Sequence, residues 1–171
     1  TYANFFNTVE AGMVYWATDG GTNGGDIKRM NIAGGPVATV SIATGPVDFM
    51  KTDGNSVYWV GGGKLKKAPL LSGPPVILGN ATSKTLDIDA TRAYALNGDQ
   101  IISFPLGGGQ ADFIGNSMTT GVAVDDGHIY ASQGNKLISV TKNGDPPVTM
   151  WMHAPQDIGG GCTLSYSISR V

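Results

Sequence analysis

Four residues close together near the end of the chain have side chains suited to holding a polar ligand. His153, Gln156 and Asp157 place an imidazole, an amide and a carboxylate within five residues, and Trp151 lies next to them. The polar groups can form hydrogen bonds, and the indole ring offers an apolar face for stacking. We therefore predict a ligand-binding site for a sugar or a peptide at these four residues. An ordinary polar loop is the alternative interpretation.

A second set of oxygen donors lies in the glycine-rich stretch TDGGTNGGD, residues 18–26. Calcium takes several oxygen ligands and tolerates a flexible loop. Asp19, Thr22, Asn23 and Asp26 offer such oxygens, although their spacing is not that of an EF-hand. Calcium bound here is one hypothesis, a long solvated hairpin is the other, and no further cofactor is predicted.

Support for catalysis in the sequence is weak. The two histidines, His128 and His153, lie at different positions of the repeat described below, and the single cysteine, Cys162, follows a glycine run without opening a helix. A nucleophile needs an activating base or a strained turn at a helix start. We therefore assign no catalytic residue.

Composition narrows the choice of partners. Only 14% of the residues are charged and the net charge is −2, so the chain has no strong positive field to hold a phosphate backbone. It also has no apolar run of the length that a membrane span requires. We predict neither a nucleic-acid partner nor a membrane span.

Short runs centred on a tyrosine recur at a nearly constant period, which is the mark of a repeat architecture. The tyrosines are Tyr15, Tyr58, Tyr94, Tyr130 and Tyr166, with spacings of 43, 36, 36 and 36. An acidic residue lies five positions before the first four of them: Glu10, Asp53, Asp89 and Asp125. We predict that each acid caps a turn through backbone amides and that the tyrosines pack between neighbouring units.

Each unit reads as four short strands separated by turns, with no helical periodicity. Four strands per repeat predict an all-β fold, a β-propeller of four-stranded antiparallel blades. The blades are expected near 3–42, 45–80, 83–116 and 119–152, with part of a fifth at 155–171. The fifth unit has room for only two of its four strands, so the ring of blades would stay open and expose strand edges. We therefore predict that residues 1–171 are a portion of a larger propeller or that a second chain closes the ring.

The stretch VDFMKTDGNSVYWVGGGKLKKAPLLSGPPVIL, residues 47–78, resembles the YWTD and NHL-like propeller repeats. It is also similar to tandem repeats of bacterial secreted proteins in which VYW precedes Pro-Leu and Gly-Gly. The second unit lacks Thr-Asp after VYW, and the first has YWATD with an added Ala. The resemblance implies a secreted protein located outside the cell or in the periplasm.

The resemblance also limits the functions to be considered. Such propellers include ligand-binding receptor ectodomains, lectin-like modules, scaffolds and the streptogramin lyases. The leading prediction is a non-enzymatic binding or scaffold propeller that recognises a carbohydrate or a protein on its loop face, which is built from the loops between second and third strands and the loops between blades. The alternative is a metal-dependent lyase similar to the streptogramin lyases, which would need a histidine base beside a bound metal.

Replacement of His153 distinguishes the two functions. In a binding protein the variant H153A should lose only part of its affinity, because other contacts remain. In a lyase that uses His153 as general base, turnover should fall roughly 100-fold or more. Ligand titration and a ring-opening assay, each run on wild type, H153A and the control H128A, measure the difference.

Overall fold

The computed structural model of the chain describes residues 7–18, 24–42, 46–71, 73–82, 85–116 and 121–152. Every regular element within these ranges is a β-strand. None of the described residues forms a helix of the length and apolarity needed to cross a membrane. The strands make four antiparallel sheets of four strands each. The predicted all-β fold of four-stranded blades is confirmed, while residues 155–171, predicted to begin a fifth blade, lie outside the described ranges.

The strands of each blade follow one another in chain order from the first to the fourth. Blade 1 consists of β1 (Asn7–Glu10), β2 (Met13–Ala17), β3 (Asp26–Asn31) and β4 (Ala38–Ile42). Blade 2 consists of β5 (Phe49–Thr52), β6 (Ser56–Gly61), β7 (Lys64–Pro69) and β8 (Val76–Asn80). Blade 3 consists of β9 (Leu86–Ile88), β10 (Arg92–Asn97), β11 (Gln100–Pro105) and β12 (Asp112–Asn116). Blade 4 consists of β13 (Val122–Val124), β14 (His128–Gln133), β15 (Lys136–Thr141) and β16 (Val148–Met152).

The first strands of consecutive blades contact one another, β1 with β5, β5 with β9 and β9 with β13. These strands therefore lie side by side along the inner side of the blades. Because each sheet is an antiparallel meander, its connections alternate between two ends. The turns after the first and third strands share one end, which we call the turn end, and the hairpins after the second strands lie at the opposite end.

A glycine turn shapes blade 2, and a bulge recurs in all four blades. The hairpin between β6 and β7 turns through Gly62 and Gly63, whose φ angles of 61° and 73° suit glycine. Each fourth strand pairs with its third strand through a register shift, an irregularity that bends and twists the sheet. The shifts fall between Ile27 and Lys28, Leu65 and Lys66, Ile101 and Ile102, and Leu137 and Ile138.

The core lies between the blades, as the recurring aromatic residues predicted. Tyr15 and Trp59 are buried where blades 1 and 2 meet. Tyr58 is buried between blades 2 and 3, and Tyr94 between blades 3 and 4. Tyr130 of blade 4 is only half-buried. Adjacent blades are therefore held together by apolar burial of one tyrosine-bearing face against the next sheet.

Close packing between blades 2 and 3 depends on a glycine. A Cβ atom added to Gly79 of β8 would lie 2.4 Å from Cε1 of Phe104 in β11, closer than a van der Waals contact allows. Phe104 is itself buried. Gly115 holds the equivalent position of β12, and a Cβ atom added there would meet no atom within 4 Å.

The two glycines therefore predict effects of different size for the same substitution. The variant G79A should lower the free energy of unfolding by about 1–3 kcal/mol, because the Phe104 ring must move within a packed core. The variant G115A should stay within about 0.5 kcal/mol of wild type. Urea denaturation of the two variants measures this, and equal stabilities would contradict the proposed crowding.

Candidate functional site

The acid that follows the first strand of blade 2 organises its turn. One carboxylate oxygen of Asp53, Oδ1, accepts hydrogen bonds from the backbone N–H groups of Asn55 and Ser56 at 2.8 and 2.7 Å. The other oxygen, Oδ2, accepts the phenol O–H of Tyr58 at 2.8 Å. Both carboxylate oxygens therefore accept hydrogen bonds from the same hairpin.

The same arrangement recurs in blades 3 and 4. Asp89 Oδ1 accepts from the amides of Thr91 and Arg92 at 2.7 and 2.8 Å, and Asp125 Oδ1 accepts in the same way from residues 127 and 128. The phenols of Tyr94 and Tyr130 donate to the Oδ2 atoms at 2.8 and 2.7 Å. The predicted acid caps are confirmed for these blades. The phenol contact was missed, although the constant five-residue spacing of acid and tyrosine was a signal for it.

The prediction of a capping acid is wrong for Glu10. Glu10 is exposed and pairs with Met13 in the ladder between β1 and β2. The turn is closed instead by Ala11 and Gly12, whose φ angles are 48° and 74°. Positive φ at both central residues gives a tight hairpin turn that matches the strand twist without an acidic cap.

These contacts move the pKa values of the capping groups away from neutrality. The phenol of Tyr130, together with the turn amides, lowers the pKa of Asp125 to about 2. Burial by itself would raise the pKa of Asp89, but the ammonium group of Lys142, the turn amides and Tyr94 outweigh it and hold that pKa well below its usual value. Burial and then the Asp89 carboxylate raise the pKa of Tyr94.

A polar cavity of about 420 Å³ opens at the turn end, among the ends of the four first strands. Lys51 of blade 2 lies there with its Nζ atom 3.3 Å from Oδ1 of Asp87 in blade 3. Asp87 is buried, and its Oδ2 atom accepts the backbone N–H of Val124 in blade 4 at 2.9 Å. These contacts connect three blades beside the cavity, which is also lined by Thr8, Val9, Glu10, Thr52, Asp53, Ile88, Asp89, Ala90, Asp125 and Asp126.

A second cavity of about 510 Å³ lies between blades 3 and 4, and we call it the blade 3–4 groove. Asp89 and Asp126 line both cavities, so the two adjoin at the turn end. The ammonium group of Lys142 reaches from blade 4 to Oδ2 of Asp89 and lies 5.4 Å from the centre of the Tyr94 ring. The remaining lining residues are Thr91, Arg92, Ser103, Asp112, Phe113, Ile114 and Asn143.

Most of the predicted ligand-binding site falls outside the described residues. His153, Gln156 and Asp157 lie there, so the structure does not place them relative to one another. Trp151 is described: it lies on β16, is 54% exposed and pairs with Leu137. The site at these four residues stays a prediction.

The same is true of the predicted calcium loop. Asp19, Thr22 and Asn23 lie outside the described residues. Asp26 begins β3, where its carboxylate lies 2.8 Å from Nζ of Lys28 and its amide donates to Oγ1 of Thr18. Among the residues that the structure describes, no group of three or more His, Cys, Asp or Glu side chains is arranged to hold a metal ion.

Known proteins resemble this chain in fold. No family model and no curated protein matches the sequence. Among solved structures, a chain of a nidogen/laminin complex has a TM-score of 0.64 at 14% identity, covering 85% of this chain and 62% of that chain. The tricorn protease has a TM-score of 0.68 at 14% identity, with coverages of 86% and 16%. The extracellular domain of a two component system from B. thetaiotaomicron has a TM-score of 0.67 at 12% identity, with coverages of 92% and 23%.

At such low identity the likeness shows the fold alone. The chain spans less than two thirds of each of these matched chains. Together with the four meandering blades, the likeness defines the class of protein as a β-propeller.

The cap in blade 4 predicts a pH dependence of stability. Because the pKa of Asp125 is lower in the folded chain than its unfolded value of about 3.9, the ionised carboxylate stabilises the fold above that value. This contribution is lost as the pH falls towards about 2. The variant D125N should be less stable than wild type at pH 7 and lose less stability between pH 4 and pH 2. Denaturation at a series of pH values measures both slopes, and identical slopes would contradict the assignment.

Proposed function

We propose that the chain is a non-enzymatic binding or scaffold propeller that works outside the cytoplasm and holds a carbohydrate or protein ligand. Both cavities that the described residues form meet at the turn end, and we take that end as the binding face.

The hydrogen bonds that fix the turn-end carboxylates carry the proposal, and the direction of the pKa changes supports it. General acid–base catalysis works best with groups whose pKa values lie near the operating pH. The pKa values of Asp89 and Asp125 are lowered and that of Tyr94 is raised, so each group moves away from neutrality. The carboxylates keep their charge and the phenol keeps its proton, which suits fixed hydrogen-bonding positions better than proton transfer.

The rigidity of the same groups supports binding. Each capping carboxylate is held by two turn amides and a phenol, so its position is set before a ligand arrives. A preorganised surface avoids the entropic cost of ordering side chains on association. Lys142 is held in the same way, between the Asp89 carboxylate and the Tyr94 ring.

The matched structures support the location and the kind of function without defining a ligand. One is an extracellular domain, and another is a chain from a complex of two proteins. A propeller that works outside the cytoplasm and binds a partner is consistent with both.

Reversal of one charge at the turn end tests the proposed face. Asp126 is exposed and lines both cavities, so the variant D126K should weaken ligand binding at least tenfold, by about 1.4 kcal/mol. Asp99 is exposed in the turn between β10 and β11 at the opposite end, so D99K is the matched control and should bind as wild type. Arrays of immobilised glycans and extracellular proteins identify a ligand, and calorimetry then measures the affinity of each variant.

Two results would reverse the proposal. Equal affinities of D126K and wild type would remove the ligand from the turn end. Metal-dependent turnover of a ring-opening lyase substrate, with no ligand retained on either array, would favour the enzymatic alternative.

A further inference from the structure

Each blade has two broad faces, a leading face towards the preceding blade and a trailing face towards the following blade. The three apolar cores of the described residues lie between blades 1 and 2, blades 2 and 3, and blades 3 and 4. In each core the trailing face of one blade packs against the leading face of the next. Among the described blades, the trailing face of blade 4 and the leading face of blade 1 have no such counterpart.

The trailing face of blade 4 has the residue types of an interblade core without the same burial. It is formed by Tyr130, Leu137 and Met150, which follow the core residues Tyr94, Ile101 and Ile114 of blade 3 by 36 positions. Tyr130 and Leu137 are only half-buried. Met150 is 56% exposed, whereas Val40, which holds the same place on the fourth strand of blade 1, is 7% exposed. This face therefore presents apolar surface that the other blades bury.

The leading face of blade 1 shows the same contrast. It is formed by Val14, Trp16, Met30 and Ile32, whose counterparts in blade 2 are Val57, Trp59, Ala68 and Leu70. All four counterparts are buried in the core between blades 1 and 2. Ile32 is 63% exposed, whereas Leu70 is 4% exposed. A contiguous apolar face of this kind in contact with water marks an interaction surface.

We propose that two copies of the chain bind head to tail, with the trailing face of blade 4 of one copy packed on the leading face of blade 1 of the other. Both halves of this contact lie on the same chain, and each matches a half that the chain already buries three times. A trailing face meets a leading face in all three cores, so a contact between two like faces has no counterpart in the fold.

A head-to-tail contact is heterologous, and it closes into a ring when the second pair of faces also meets. Each copy supplies four described blades. Two copies therefore give a ring at the upper end of the typical range of about four to eight blades. Among the described residues, no contact comparable to those between consecutive first strands joins β13 to β1 within one copy.

Residues 155–171 of the same chain are the competing occupant of the trailing face. Ser165 and Ser167 flank the last of the repeating tyrosines in the sequence. The same two positions of blade 1 hold Val14 and Trp16, and in blades 2, 3 and 4 they are also apolar. Burial of apolar side chains stabilises such a contact more than burial of hydroxyl groups does. Blade 1 of a second copy is therefore the better match.

The test measures the association of the full chain by sedimentation velocity over a series of concentrations, and we expect a dimer. The variant M150D places a carboxylate on the trailing face, and I32D places one on the leading face. Each should raise the dimer dissociation constant by roughly tenfold or more, because an unpaired carboxylate would be buried in the contact. Both positions are exposed within one copy, so the fold should be retained, and circular dichroism checks this.

A matched control is available on the fourth strand of blade 2. Ile77 is 63% exposed and belongs to neither face. The variant I77D adds the same charge to an equally exposed apolar position and should associate as wild type. Weakening by I77D equal to that by M150D would overturn the assignment of the contact to the two faces.

A mixture of M150D and I32D tests the head-to-tail arrangement directly. The M150D copy keeps an unaltered leading face, and the I32D copy keeps an unaltered trailing face. One wild-type contact can therefore form between unlike copies, and we expect the mixture to associate more tightly than either variant alone. Weakening by M150D but not by I32D would show instead that two trailing faces meet.

Two further results would overturn defined parts of the inference. A wild-type chain that stays monomeric at every concentration would overturn the dimer and leave residues 155–171 or a different partner as the occupant of the trailing face. Particles heavier than a dimer that both variants dissociate would keep the contact and overturn its closure by two copies.

Discussion

The carboxylate that follows the first strand of blades 2, 3 and 4 is the constraint on which the local architecture depends. In blade 3, one oxygen of Asp89 takes up two turn amides and the other takes up the phenol of Tyr94. Because Tyr94 is buried between two blades, its hydroxyl group must find a partner inside the protein. One acidic side chain therefore fixes the turn and gives the interblade tyrosine a hydrogen-bonding partner at the end of its own hairpin.

The local nature of this constraint explains how much of the fold could be predicted from the sequence. Acid and tyrosine are five residues apart in the same hairpin, so their recurrence is visible in the sequence. The recurrence predicted the acid caps of blades 2 to 4, and the turns between apolar runs predicted the four strands of each unit. Glu10 shows where such a pattern fails. Its spacing to Tyr15 is the same, but a turn through Ala11 and Gly12 at positive φ closes the hairpin by a different backbone geometry. Spacing alone does not report that geometry.

The candidate site could not be predicted because it arises where the repeats differ and where separate blades meet. Lys142 and Asp89 are 53 residues apart, and Arg92 reaches Asp112 across 20 residues. Neither pair recurs at the blade period. Gly79 and Gly115 illustrate the same limit, since they are identical residues at equivalent positions and only Gly79 is crowded by the next blade. The crowding comes from Phe104, for which Val140 is the counterpart in blade 4.

Two lysines contact the interblade tyrosines and connect neighbouring blades. Lys67 lies 5.3 Å from the centre of the Tyr58 ring and donates to the carbonyl oxygen of Leu106 in the next blade at 2.8 Å. Lys142 lies over Tyr94 of the preceding blade and is paired with Asp89. The partner of Lys67 is thus a neutral carbonyl group, whereas the partner of Lys142 is a charged carboxylate. Among the described residues, it is between blades 3 and 4 that a capping carboxylate pairs with a lysine of the next blade, and this contact leaves the blade 3–4 groove rich in hydrogen-bonding groups with little net charge.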